Sequence, residues 1–210
     1  MTVLCPLIVM AKAPRARFAK TRLIPALGAA GAAALARRML AHTVRQVALA
    51  ALGPVDICCA PDASHPAFDE TRAVAQGLTS ARVLLSVQGE GDLGARMQRA
   101  FERWWPQAGG VLLVGTDIPA LDATVLQTAA QVLQSVDAVF VPSADGGYAL
   151  VGLRRSTPAL FADMPWSTPA VMALSRARLL AAGMRHLELP AVHDIDVPAD
   201  LVHLPAGWLV

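Results

Sequence analysis

Three aspartates and three cations carry the chemistry legible in this chain. Asp117 ends an apolar run, "VLLVGTD", so a strand holds it at the edge of a sheet. Asp194 and Asp196 stand two apart in "HDIDVP", a spacing that puts both side chains on one side of an extended segment. Three carboxylates brought together repel one another unless a cation neutralises them, and oxygen-only ligands point to Mg²⁺ or Mn²⁺. Asp196 has an equal second reading as the cap of a terminal turn, because a proline follows two residues later. For Asp117, ribose binding stands beside metal binding.

The cations lie in "AKAPRARFAKTRL", which follows the first apolar run and holds five of the 18 Lys and Arg residues. Lys12, Lys20 and Arg22 are suited to phosphates through charge-assisted hydrogen bonds. Arg15 and Arg17 read as solvated. Neither a Walker A loop nor a dinucleotide fingerprint opens the first helix. "GEGDLG" (Gly91, Asp92, Gly94) follows the third apolar run and suits close backbone approach to a ligand at a helix N-terminus. "SADGG" reads as a tight turn between strands, with Asp145 open to a role as base or acceptor contact. Tyr148 is the sole tyrosine. In "MPWST", Trp166 and Ser167 read either as a helix-capping staple or as an acceptor-pocket wall.

These groups need a scaffold that gathers them. Apolar runs at Val3–Met10, 55–60, 81–87, 109–121, 136–142 and 148–153 alternate with helical patterns, and "MRHLELP" gives a last strand. Helices are expected over 28–52 and 69–77, after Asp92, after Asp122, and over 167–183 with Thr168 as cap and Pro169 at the first position. The alternation predicts an α/β fold: one domain over residues 1–210, a three-layer sandwich with a mostly parallel central sheet and helices on both faces. Ligands of such sheets bind beyond the carboxyl ends of the strands, where all these loops fall.

Composition limits the function. Hydrophobic residues make up 55% and charged residues 16%, a core-rich globular balance. The net charge of +2 and few aromatics argue against a nucleic-acid binder. Cys5, Cys58 and Cys59 lack metal-ligand spacing and read as buried free thiols. The first apolar run is too short to span a bilayer, and the expectation is a cytoplasmic protein without a membrane span.

The ordered motifs "AKAPxxxxxKTRL", "GDLGxRM", "GTDIPAL", "DGGYALVGL", "PWST" and "DIDVPADL" resemble a bacterial family of small GT-A-type, glycosyltransferase-like proteins. That family belongs to the nucleotide-diphospho-sugar transferase superfamily and is similar to phospholactate and molybdenum-cofactor guanylyltransferases. The resemblance runs from about Val3 to Leu201. It implies the GT-A fold, a nucleotide donor (an NDP-sugar or an NTP) with phosphates on Lys12, Lys20 and Arg22, and a small-molecule acceptor. It implies a metal at Asp117 with Asp194 and Asp196 as further ligands, and the Gly91–Asp92–Gly94 turn near base or ribose; with the residue reading of Asp145, Asp117 and Asp145 are the expected catalytic pair. Tyr148, Trp166 and Ser167 are then the acceptor side. One departure stands out: Arg17 occupies the position where the family carries a loop glycine.

Overall fold

The computed structural model describes residues 4–105 and 108–209. Strand β1 (Leu7–Lys12) begins later than the apolar run suggests, because Pro6 has no N–H to give a ladder. Val3, at the start of that run, lies outside the described residues. A 3₁₀ turn (Thr21–Leu23) leads into α1 (Ile24–Ala50), which is interrupted at Gly28 by φ 69 and ψ 167. There follow β2 (Val55–Ala60), α2 (Pro66–Leu78), β3 (Val83–Val87) and α3 (Leu93–Glu102). After these come β4 (Val111–Gly115), α4 (Ala123–Leu133), β5 (Ala138–Pro142) and β6 (Tyr148–Leu153). The chain ends with α5 (Pro158–Phe161), α6 (Val171–Ala181), the short β7 (His186–Glu188) and a 3₁₀ turn (Pro198–His203).

The strands form one seven-stranded sheet in the order β3-β2-β1-β4-β6-β5-β7. All pairings are parallel except those of β6, which runs antiparallel between β4 and β5. The hairpin through Asp145 and Gly146 thus inserts its return strand into the sheet rather than adding it to the edge.

Successive β1 residues face opposite layers. Leu7 and Val9 join Leu40, Val44, Phe68 and Leu126 from α1, α2 and α4 in one core. Ile8 joins Met97, Phe101, Leu160 and Leu179 from α3, α5 and α6 in the other. Period-two alternation of buried residues is what a sheet covered on both faces requires. Each fully buried side chain of this size contributes about 1.5–3 kcal/mol. Helix 21–50 is long and apolar enough by composition to cross a membrane; here Leu40, Val44, Val47, Ala48 and Ala50 pack into the core under the sheet, and Leu23, Ala32, Leu35 and Met39 pack in a second cluster with Ile195. The three cysteines are free and buried.

Two helix caps match expectation: Asp92 and Asp122 accept from the N–H groups of Ala95 and Val125, at 2.8 and 2.9 Å. Thr168 does not cap α6. Its hydroxyl donates to the Pro165 carbonyl at 2.7 Å, and the helix starts at Val171.

Candidate active site

The carboxyl ends of β1, β3, β4 and β5 open onto a cleft of about 460 Å³, within the range of small-molecule sites. Lys12, Lys20, Arg22, Asp117, Asp145, Tyr148, Trp166, Ser167, Asp194 and Asp196 all line it. The structure therefore gathers most of the residues singled out in the sequence, from segments far apart in the chain.

The last acidic segment is placed by packing. Ile195 is fully buried with Leu23, Leu35 and Met39, and its N–H donates to the Asp117 carbonyl at 2.9 Å. Asp194 and Asp196 flank this anchor. The Asp196 and Val197 N–H groups donate to Asp200 Oδ2 at 2.8 and 2.7 Å, which fixes the turn beyond it.

Lys20 supplies the principal contact. Its Nζ lies 2.9 Å from Asp117 Oδ1 and 2.6 Å from Asp196 Oδ1, with its side chain only 7% exposed. Burial alone would lower the ammonium pKa; Asp117 and Asp196 outweigh it and hold Lys20 above its usual value. Expected on phosphates, Lys20 instead spans two of the three proposed metal ligands. Asp194 stands apart from this contact. Burial, then Asp145, Asp196 and Asp200, raise its carboxyl above the ordinary range. Among the described residues, no group of three or more His, Cys, Asp or Glu side chains is disposed to hold an ion. The structure thus brings Asp117 and Asp196 onto one cation and leaves Asp194 beside them.

Lys12 is free of carboxylates among the described residues and lies over the Phe18 ring, 4.3 Å from its centroid. Arg22 is exposed on the rim. Arg17, at the family's glycine position, has φ 61, Lys20 has φ 50, and Ser167 has φ 62. Left-handed backbone is costly for such residues; Lys20 and Ser167 line the cleft, and Arg17 does not.

Asp145 serves its turn: Oδ1 accepts from the Gly147 N–H at 2.8 Å and from the Ser143 hydroxyl. Gly146 admits no side chain, since a Cβ would fall 2.5 Å from Pro169. The Tyr148 hydroxyl and Trp166 Nε1 are buried without a hydrogen-bond partner among the described residues. Burial raises the Tyr148 phenol pKa.

The "GEGDLG" turn is largely occupied with itself. Arg96 Nε donates to the Gly91 carbonyl at 2.8 Å and Arg99 Nη2 to the Glu90 carbonyl at 3.0 Å. Asp92 caps α3. A Cβ on Gly94 would meet the Phe161 carbonyl at 2.5 Å and the Trp166 indole at 3.0 Å, so its missing side chain admits close packing. Gly91, Asp92 and Gly94 lie outside the cleft lining, whereas Leu93 belongs to it.

Sequence reasoning missed Gln88. It is 6% exposed and lines the cleft, and its Nε2 donates to the carbonyls of Ala11 (3.2 Å) and Cys58 (3.0 Å). A lone glutamine ending an apolar run gives no pattern to find it by. Thr116 and Ser143 also line the cleft and were unmarked for the same reason.

A sheet with these loops at its carboxyl edge defines the class: the nucleotide-diphospho-sugar transferase fold. Residues 43–168 match the DUF2064 family, described as an uncharacterized protein conserved in bacteria, and the chain belongs to that family. No curated protein matches the chain. Among solved structures, it is similar to a candidate nucleotide-diphospho-sugar transferase from Desulfovibrio desulfuricans G20. The identity is 30% over 96% of this chain and 85% of the other, with a TM-score of 0.82. A nucleotidyl transferase from Methanothermobacter shares the fold at 15% identity over 100% and 99% of the two chains, with a TM-score of 0.63. Rv0371C of Mycobacterium tuberculosis, solved with manganese, does so at 17% identity over 97% and 98%, with a TM-score of 0.55.

Proposed function

We propose that this chain is a metal-assisted transferase that takes an activated nucleotide, foremost a nucleoside-diphosphate sugar, and passes the sugar to a small acceptor. One observation carries the reading: Asp117, Asp196 and Lys20 meet in a cleft that also holds Lys12 and Arg22. Carboxylates able to hold a divalent ion and cations lining the same cleft suit a diphosphate, whose charge the ion and the cations would meet together.

Two carboxylate oxygens already converge on one cationic centre, a donor set that suits Mg²⁺ or Mn²⁺ with water and phosphate oxygens completing the shell. Such an ion would neutralise charge on the departing diphosphate. Lys12 and Arg22 hold the donor phosphates, and Asp194 adds negative charge beside the ion. Asp145, fixed by its turn, faces the acceptor, whose side of the cleft is formed by Tyr148, Trp166 and Ser167. The likeness to the Desulfovibrio protein supports a sugar donor, and the manganese complex of the mycobacterial relative supports the ion. The reading takes residues 1–210 as one catalytic domain, and the three free thiols support a reducing, cytoplasmic setting.

A second reading, nucleotidyl transfer with release of pyrophosphate, is favoured by the three cations of the cleft, which suit a triphosphate. The released product separates the two. Thermal melts with UDP-sugars, GTP and CTP, with and without Mg²⁺, test the shared core. At least one nucleotide should raise Tm in a Mg²⁺-dependent way, and Asp117→Asn should remove the effect. If no nucleotide shifts the wild-type Tm in Mg²⁺, the assignment of this cleft is wrong.

A further inference from the structure

Lys20 holds the place a divalent ion would need. Its ammonium touches one oxygen of Asp117 and one of Asp196, at 2.9 and 2.6 Å, inside a side-chain environment only 7% exposed. A Mg²⁺ ion binds carboxylate oxygens at about 2.1 Å. An ion held by these same two oxygens would overlap the ammonium and repel its charge, so the two cannot occupy the site together. The backbone points the same way. Lys20 has φ 50 and ψ 43, a left-handed conformation that a lysine adopts only at a cost. This strained residue ends the loop that follows Lys12, the last residue of β1, and immediately precedes the turn that carries Arg22.

We propose that Lys20 is a resident counter-cation: its ammonium competes with the divalent ion for Asp117 and Asp196, and ion binding frees it for a phosphate of the nucleotide. The proposal rests on reading the cleft as a metal-assisted nucleotide site. In the free protein Lys20 neutralises part of the charge on two close carboxylates. An arriving divalent ion takes over that task and leaves a poorly solvated ammonium without a partner, which is costly. A phosphate group restores the pairing. The ion alone therefore binds weakly, and ion and nucleotide strengthen one another.

The test is titration with MnCl₂ alone, followed by calorimetry or by the electron-spin signal of free Mn²⁺. Wild type, Lys20→Gln, Lys20→Arg and Asp117→Asn are compared. Lys20→Gln should bind Mn²⁺ at least tenfold tighter than wild type, Lys20→Arg no tighter than wild type, and Asp117→Asn should lose the site. If Lys20→Gln binds no tighter than wild type while Asp117→Asn still abolishes binding, the competition is refuted and the metal site stands. If Mn²⁺ reaches none of the proteins at millimolar concentration, the metal reading falls together with the proposal. Wild-type protein gives a readout that no unfolded variant can obscure. Lys20 should resist acetylation by a water-soluble N-hydroxysuccinimide ester without Mn²⁺ and become labelled at saturating Mn²⁺. Unchanged labelling would overturn the proposal.

Discussion

Replacing Arg17 by glycine should make this protein more stable. Arg17 sits at φ 61, its side chain is exposed, and no hydrogen bond or ion pair holds it among the described residues. Left-handed backbone costs an L residue about 1–2 kcal/mol, which glycine avoids. Glycine gives back about 0.5–1 kcal/mol through the greater freedom of its unfolded chain. The central values leave about 0.75 kcal/mol of net stabilisation, or about 1.5–3 °C in Tm for a chain of this size. Arg17→Ala provides the control, because alanine removes the same side chain and keeps the strain. Urea denaturation followed by tryptophan fluorescence measures both. Arg17→Gly should have the higher midpoint with an unchanged slope. If Arg17→Gly is no more stable than Arg17→Ala, the loop is not strained at this residue and the reasoning fails.

Other outcomes follow from the same structure. Arg103→Met should destabilise by about 3–5 kcal/mol, since it strips the fully buried Asp56 carboxylate of its ion-pair partner at 3.2 Å; Arg103→Lys should lose less, as read from urea midpoints. Gly94→Ala should lower Tm and any nucleotide-induced Tm shift together, because its Cβ collides with the Phe161 carbonyl and displaces Trp166 at the cleft wall. Burial pushes the Cys5 and Cys59 thiols up to about 12, so neither should react with a disulfide reagent at pH 8 in the native state, and all three cysteines should react in denaturant. The hydrogen bond from Arg176 outweighs burial and holds the Glu188 carboxyl below its usual range. A depressed folded pKa means this pair stabilises above the unfolded carboxylate value and is lost as the pH falls through the folded one. The acid-side stability loss should therefore shrink in Arg176→Ala, by no more than about 1 kcal/mol because the pair is partly exposed.

Much of the fold was legible because it rests on local patterns. Leu7, Ile8 and Val9 alternate between two cores, and the caps at Asp92 and Asp122 need only side chains three residues from their targets. Strand order was not legible: nothing in "YALVGL" says that it lies between β4 and β5, since that follows from which edges remain open once the parallel strands have paired. The start of α6 was misplaced because Thr168 spends its hydroxyl on Pro165, a competition that composition does not reveal. In the site, residue types and the shared sheet edge pointed to Lys12, Arg22, Asp117 and Asp196. The partner of Lys20 did not follow, because it depends on a left-handed backbone and on a carboxylate 176 residues away, placed there by the burial of Ile195. The "GDLG" glycine shows why a missing side chain is ambiguous in sequence: close approach by a ligand and close packing by the Phe161 carbonyl and the Trp166 indole demand the same glycine.

A crystal structure with a nucleoside diphosphate and Mn²⁺ would show whether Asp117 and Asp196 form the metal half of a nucleotide site. Mn²⁺ should be bound by Asp117, Asp196 and a phosphate oxygen, with the Lys20 ammonium moved from between the carboxylates onto the diphosphate. A diphosphate bound away from Lys12 and Arg22, or Lys20 still bridging Asp117 and Asp196 with the ion elsewhere, would contradict that assignment.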